Sequence, residues 1–251
     1  MIKAVLFDLD DTLLDINLTA FVSRYMLGLS GILGLISRMP GPVLQPALVL
    51  SYLAVNSQNR EDLFTNEQLL HKHFKRLTGI PLEDPTISEA IRCFESTVVD
   101  GYRDGIVHAR PREGMSRAVE RVHELGLICA LASNPIFSSE IDRVRIGWAG
   151  VSENDFTAIS TITNSRRCKP SAVYYQDFIA GLGVSPTECL MVGNDATRDF
   201  ARPDIGLRTL YVGHARPRRA FWRGQPSRLA ADLKMIIDAA NEQDDLAQSK
   251  A

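Results

Sequence analysis

The chain has little net charge. Its 28 Lys and Arg residues stand against 30 Asp and Glu, a formal balance of -2 over 251 residues. Neither a nucleic-acid groove nor a basic membrane-binding face is therefore expected, and the expected partner is a small molecule. Cysteine is scarce: four, at positions 93, 129, 168 and 189, with no Cys-x-x-Cys pair. Cys129 and Cys189 lie inside apolar runs, where a reduced thiol packs as a small hydrophobe, so the expected compartment is the cytoplasm. The opening residues are apolar apart from Lys3 but reach Asp8 too soon for the hydrophobic region of a signal peptide, and they read as a strand. A long uninterrupted apolar run is also missing. Residues 39–59 carry no charge, yet Pro40, Pro42 and Pro46, with Gln45, Asn56 and Gln58, cut the apolar core to residues 47–55. That is too short to span a bilayer, and a buried helix or an interface is expected instead. The length itself allows one large domain or two modest ones with no need of a metal or disulfide to hold them together.

Five short runs have strand length and composition: residues 3–9, 127–132, 157–162, 189–193 and 208–212. They are apolar on successive residues, which suits parallel strands covered on both faces. Met115, Ala118, Val119, Val122 and Leu125 recur at helical spacing and end at Gly126, a residue able to close a helix in the left-handed conformation. Residues 171–182 read as a second helix, and Ser185-Pro186-Thr187-Glu188 as a helical turn with a capping box and proline at its first position. The order βαβαβ predicts an α/β fold, a doubly wound, mainly parallel (Rossmann-like) sheet. Residues 16–109 interrupt it with helical periodicity: Phe21, Val22, Tyr25, Met26, Leu29, Leu33 and Ile36 form one apolar face, and Ile87, Ile91, Phe94 and Val98 another, entered at Asp84-Pro85. The expected domains are a core of residues 1–15 and 110–240, an all-helical insertion of 16–109, and a polar, disordered tail of 241–251. Gly28, Gly31 and Gly34 predict a kink or break in the first inserted helix, each costing about 1 kcal/mol against alanine.

Ligands of open α/β sheets bind beyond the carboxyl ends of the strands, so polar residues that end apolar runs are the candidates for chemistry. The first run ends in Asp8-Leu9-Asp10-Asp11-Thr12, the second in Ser133-Asn134, and the fourth in Gly193-Asn194-Asp195 with Asp199 four residues on; Lys169-Pro170 precedes the helix at residue 171. Each alone is an ordinary acidic turn, helix cap or solvated lysine. The ordered set, strand into Asp-x-Asp-x-Thr, strand into Ser, Lys-Pro, strand into Gly-Asn-Asp-x-x-x-Asp, resembles the phosphatase branch of the haloacid dehalogenase superfamily, over residues 2–14 and 110–213.

The resemblance implies a Mg²⁺-dependent phosphohydrolase. Asp8 would be the nucleophile that forms an aspartyl-phosphate, and Asp10 the acid that protonates the leaving alcohol and then the base that activates water. Thr12 would orient Asp10 or the turn. Ser133, with Asn134 and the free amides after the strand, would bind phosphoryl oxygens, and Lys169 would be a point charge between nucleophile and phosphate. The metal ligands would be Asp8, the main-chain carbonyl of Asp10, and Asn194 or Asp195. Two alignments stand. Asp195 as ligand is preferred, leaving Asp199 to fix water or Lys169; otherwise the amide oxygen of Asn194 binds the metal.

The inserted helices resemble the cap of many superfamily members, hinged near residues 14–18 and 108–111, closing over the site and choosing the substrate, a small phosphorylated metabolite. Asn17 and Arg24 are candidates to face it, with a solvated helix face as the plain alternative. His71 and His73 do not share a helix face and are poor metal candidates. The apolar cap segment could be core, pocket or a homodimer interface, and a monomer is equally compatible. Three alternatives remain: a phosphomutase on the same residues, a non-catalytic binding protein, and a dehalogenase, against which Asp10 and Asp195 argue.

Overall fold

The computed structural model describes residues 1–249. Its central sheet has six strands in the order β5-β4-β1-β6-β7-β8: β1 Ala4–Phe7, β4 Ile128–Leu131, β5 Ala158–Ile159, β6 Cys189–Gly193, β7 Arg208–Tyr211 and β8 Trp222–Arg223. Every pairing in it is parallel. Alternation along the strands assigns residues to two faces. Ala4, Leu6, Ala130, Cys189 and Met191 pack on one side under Tyr174, Tyr175 and Ile179 of α7 Ala172–Gly181. Val5, Phe7, Cys129, Leu131, Leu190 and Val192 pack on the other, under α5 Met115–Glu124 and α8 Leu229–Gln248. Both faces are buried, which is why the runs read as apolar on every residue.

A second, two-stranded sheet pairs β2 Leu14–Asp15 with β3 Arg110–Pro111, antiparallel, where the chain leaves and re-enters the core. Between them lie α1 Leu18–Ser37, α2 Gly41–Val55, α3 Asn66–Thr78 and α4 Pro85–Thr97. Their apolar faces share one continuous hydrophobic cluster with a face of the main sheet. The helix starts obey local chemistry: the Thr65 hydroxyl and Gln68 form a capping box on α3, and Asp84 accepts from the Thr86 and Ile87 amides ahead of Pro85 on α4. Gly126, at φ 69, follows α5 as its left-handed closing residue.

Three expectations need correction. The glycines of α1 do not break it: the helix is continuous to Ser37 and ends at Arg38, φ 58. At Gly28 a side chain would collide with the Phe94 ring, 2.5 Å from Cζ, so this glycine buys close packing of α1 on α4 at its cost in propensity. Second, a wholly buried helix over residues 39–59 gives way to α2, which buries Leu44, Ala47, Leu48 and Val55 on one face and leaves Val43, Val49, Leu50 and Leu53 exposed on the other. A longer apolar helix lies elsewhere, in α1, which is long and apolar enough to cross a membrane by length and composition. Its Phe21, Tyr25, Leu29 and Leu33 are spent on the interior. Third, the segment expected to be disordered from residue 241 continues α8 to Gln248, and Asp244 receives the guanidinium of Arg208; residues 250 and 251 lie outside the described residues.

Candidate active site

Because β1 lies between β4 and β6 and all three run the same way, the segments that follow them meet at one edge of the sheet. The Asp8 amide still donates to Val192 O at 2.9 Å, so the carboxylate projects from the last paired position of the strand. A tight turn follows. Leu9 O accepts from the amides of Leu13 and Leu14 at 2.9 Å, and Asp11 adopts the left-handed conformation, φ 54, which a short polar side chain tolerates better than most.

A cleft of about 210 Å³ opens here, lined by Asp8, Asp10, Asn134, Lys169, Asn194 and Asp195, with Asp199 at its base. Lys169 is buried, its Nζ 2.7 Å from Asp8 Oδ1 and 2.8 Å from Asp199 Oδ1. Burial disfavours the ammonium, but Asp199 and Asp8 outweigh it and hold the lysine well above its ordinary pKa. Burial also pushes the Asp8 carboxyl up, against the pull of Lys169 and with the push of Asp199. One buried cation thus faces two buried carboxylates, and the trio retains room for another positive charge.

Asp199 is fixed from two directions. Its Oδ2 accepts from the Asp195 amide at 2.8 Å, and its carboxyl lies against Gly193, where any Cβ would overlap it. Asn134 fixes Lys169, its Oδ1 accepting from the Lys169 amide at 3.1 Å. The cap reaches this spot: Asn56 Oδ1 accepts from Asn134 at 3.4 Å, and Gln58 donates to Lys169 O at 3.1 Å. Ser133 is buried, its carbonyl taken by Ser160 and Tyr174, and it is Asn134 that lines the cleft. The other cap candidates point elsewhere. Asn17 caps α1 through the Ala20 amide, the Arg24 guanidinium lies 4.1 Å from the Tyr102 ring centroid, and Leu18 is the cap residue in the cleft wall.

Thr12 does not hold Asp10. Its hydroxyl lies 3.2 Å from Asp8 Oδ2 and 3.1 Å from Asn194 Oδ1, joining the first strand's carboxylate to the fourth motif. This bears on the two alignments, because Asp195 is otherwise employed: its Oδ1 accepts from Thr197 Oγ1 at 2.6 Å and from the amides of Thr197 and Arg198, which lowers its pKa despite partial burial. Asn194 therefore presents its amide oxygen toward Asp8 while Asp195 caps the next turn. Among the described residues no three His, Cys, Asp or Glu side chains converge as a metal site. A set of Asp8 carboxylate, Asn194 amide oxygen and the Asp10 carbonyl is all oxygen, and it fits Mg²⁺, which takes few protein ligands and keeps several waters.

One residue at this edge has no counterpart in the sequence reading. Arg145, fully buried on α6 Ser139–Trp148, pairs with Asp10 Oδ2 and, at 3.1 Å, with Asp142 Oδ1, while its guanidinium lies 4.8 Å from the Phe137 ring centroid. Asp10 Oδ1 has no hydrogen-bond partner although it is buried. Ile141, Arg145 and Trp148 recur at helical spacing, the signal that would have put Arg145 on a buried face.

A family model described as a haloacid dehalogenase-like hydrolase matches residues 2–201. A comparison with curated proteins found no significant match. Among solved structures, a HAD phosphatase from Thermococcus onnurineus is similar at TM-score 0.56 and 17% identity, covering 94% of this chain and 98% of that one. A β-phosphoglucomutase from Clostridium difficile gives 0.54 and 14%, over 97% and 99%. L-2-haloacid dehalogenase from Xanthobacter autotrophicus, with chloropropionic acid covalently bound, gives 0.52 and 13%, over 93% and 99%. At these identities the likeness is one of fold.

Proposed function

The chain belongs to the haloacid dehalogenase-like hydrolases, and from that premise we propose that it is a Mg²⁺-dependent phosphohydrolase that cleaves a small phosphomonoester through an aspartyl-phosphate on Asp8. The observation that carries the reading is Lys169 held between Asp8 and Asp199 at the floor of the cleft. Phosphoryl transfer needs a positioned nucleophile and neutralised charge more than covalent assistance. Lys169 orients Asp8 and offsets its repulsion from the incoming phosphate, and Asp199 keeps the lysine charged and in place. Mg²⁺ held by Asp8, Asn194 and the Asp10 carbonyl would supply the remaining positive charge on the phosphoryl oxygens.

Asp10, which lines the cleft and is held at Oδ2 by Arg145, gives a proton to the leaving oxygen and later takes one from water. Asn134 donates to a phosphoryl oxygen from the cleft wall. The cap residues Asn56 and Gln58, already bonded to Asn134 and Lys169, shield the transfer from water. A cytoplasmic setting agrees with four free thiols. The test is a screen of phosphorylated metabolites with Mg²⁺, reading released phosphate, repeated in EDTA. Release that survives EDTA contradicts the metal, and transfer to a second hydroxyl in place of water makes the protein a phosphomutase.

A further inference from the structure

A larger cavity, about 250 Å³, lies between the cap and the core and shares no lining residue with the catalytic cleft. Leu29, Leu48, Leu70, Leu82 and Ile91 supply its apolar wall, one or more from each cap helix. At its polar end lies Glu95, 3% exposed, whose Oε1 accepts from Tyr25 at 2.6 Å and whose Oε2 accepts from Ser138 at 2.6 Å. No cation pairs with this carboxylate among the described residues, and burial, with the neighbouring charge of Glu140, pushes its pKa up. Glu67 and Glu140 add negative charge to the wall; of the basic groups there, His71 and Arg92, the arginine is taken by Glu89.

We propose that this cavity is a second binding site, taking a small primary amine with an apolar body, its ammonium against Glu95. A buried carboxylate served only by hydroxyls retains unused lone pairs, about two on each oxygen before bonding, and lacks a countercharge. An apolar cavity of roughly 150 Å³ is enough for benzene, so this one has space for a ring and a short aminoalkyl arm. The walls come from both sides of the molecule, since Ser138, Ser139 and Glu140 begin α6 and Ile162 and Thr163 follow β5. An occupant therefore bridges cap and core.

The probe is 2-phenylethylamine, titrated by calorimetry into the full chain with saturating Mg²⁺, beside 2-phenylethanol and 3-phenylpropionate. The amine binds, and the alcohol and acid bind more weakly. Glu95→Gln weakens the amine about 10-fold or more, the loss of one charged hydrogen bond, and Ile91→Phe, which fills the wall, weakens amine and alcohol alike. Asp8→Asn leaves amine binding unchanged, which separates this site from the acidic cleft and from the phosphatase reading. No binding to the wild type overturns the proposal. So does an alcohol that binds as tightly as the amine, binding that survives both cap substitutions, or binding that is lost in Asp8→Asn.

Discussion

Arg145→Met retains most of the side chain's apolar stem and removes the guanidinium, leaving Asp10 and Asp142 as unpaired carboxylates beside each other. Arg145 is wholly buried, and the side chains of Asp142 and Asp10 are 7% and 18% exposed, so water recovers little of the lost interaction. Breaking such a pair costs about 3–5 kcal/mol, and the partial exposure of Asp10 argues for the lower end, about 3 kcal/mol. With a urea slope of about 2–3 kcal/mol per molar, the unfolding midpoint falls by about 1 M. The assay is urea unfolding at pH 8 and again at pH 9.5. Burial pushes Asp142 to about 7 against the pull of Arg145, so losing the guanidinium takes this carboxyl further up, and the fall in midpoint is larger at the higher pH, where protonation no longer relieves it. The double variant Arg145→Met/Asp142→Asn removes one orphaned charge with its partner and is more stable than Arg145→Met alone. A midpoint within about 0.3 M of wild type, or a double variant that loses the sum of the two single losses, refutes this account of the pair.

Asp142 also sets a pH dependence: its pKa rises from 3.8 to about 7 on folding, so its contribution to stability declines as pH rises across that window, and Asp142→Asn gains on wild type in urea midpoints between pH 4 and pH 8. Lys169→Met lowers phosphate release by about 10²-fold or more, and Lys169→Arg does not restore it, because a planar fork cannot replace a compact ammonium between two carboxylates. Asn194→Ala raises the Mg²⁺ concentration needed for half-maximal activity more than Asp195→Asn does, since the Asp195 carboxylate is occupied in capping its own turn; the reverse order restores Asp195 as the ligand.

The legible parts of the fold are those that both faces of the sheet demand. β1, β4, β6 and β7 are buried on both sides and so announce themselves as solid apolar runs, and α5 shows a clean stripe, while α7 is apolar on most of its surface. α6 stays hidden because its buried face carries Asp142 and Arg145, a pairing that reads as solvated surface until tertiary structure brings Asp10 to it. The glycines of α1 are misleading for a related reason: their cost is local and visible, while the ring of Phe94 that requires Gly28 lies on another helix. In the site, Lys169 precedes α7 and ends no strand, and only the ordered set of motifs points to it. Asp8 and the acidic run ending in Asp199 could be placed from strand ends, because parallel topology delivers those ends to one edge. The hydroxyl of Thr12 and the carboxylate of Asp195 could not, since each has several partners within reach along the chain and only the folded turn selects among them.

The central claim is that the phosphoryl group is carried by Asp8. Wild-type protein turning over an aryl phosphate with Mg²⁺, quenched in acid and digested, is expected to yield the peptide containing Asp8 with one added phosphoryl group, while folded Asp8→Asn yields neither that peptide nor released phosphate. Turnover at the wild-type rate in Asp8→Asn, or a phosphoryl group on any other residue, would contradict it.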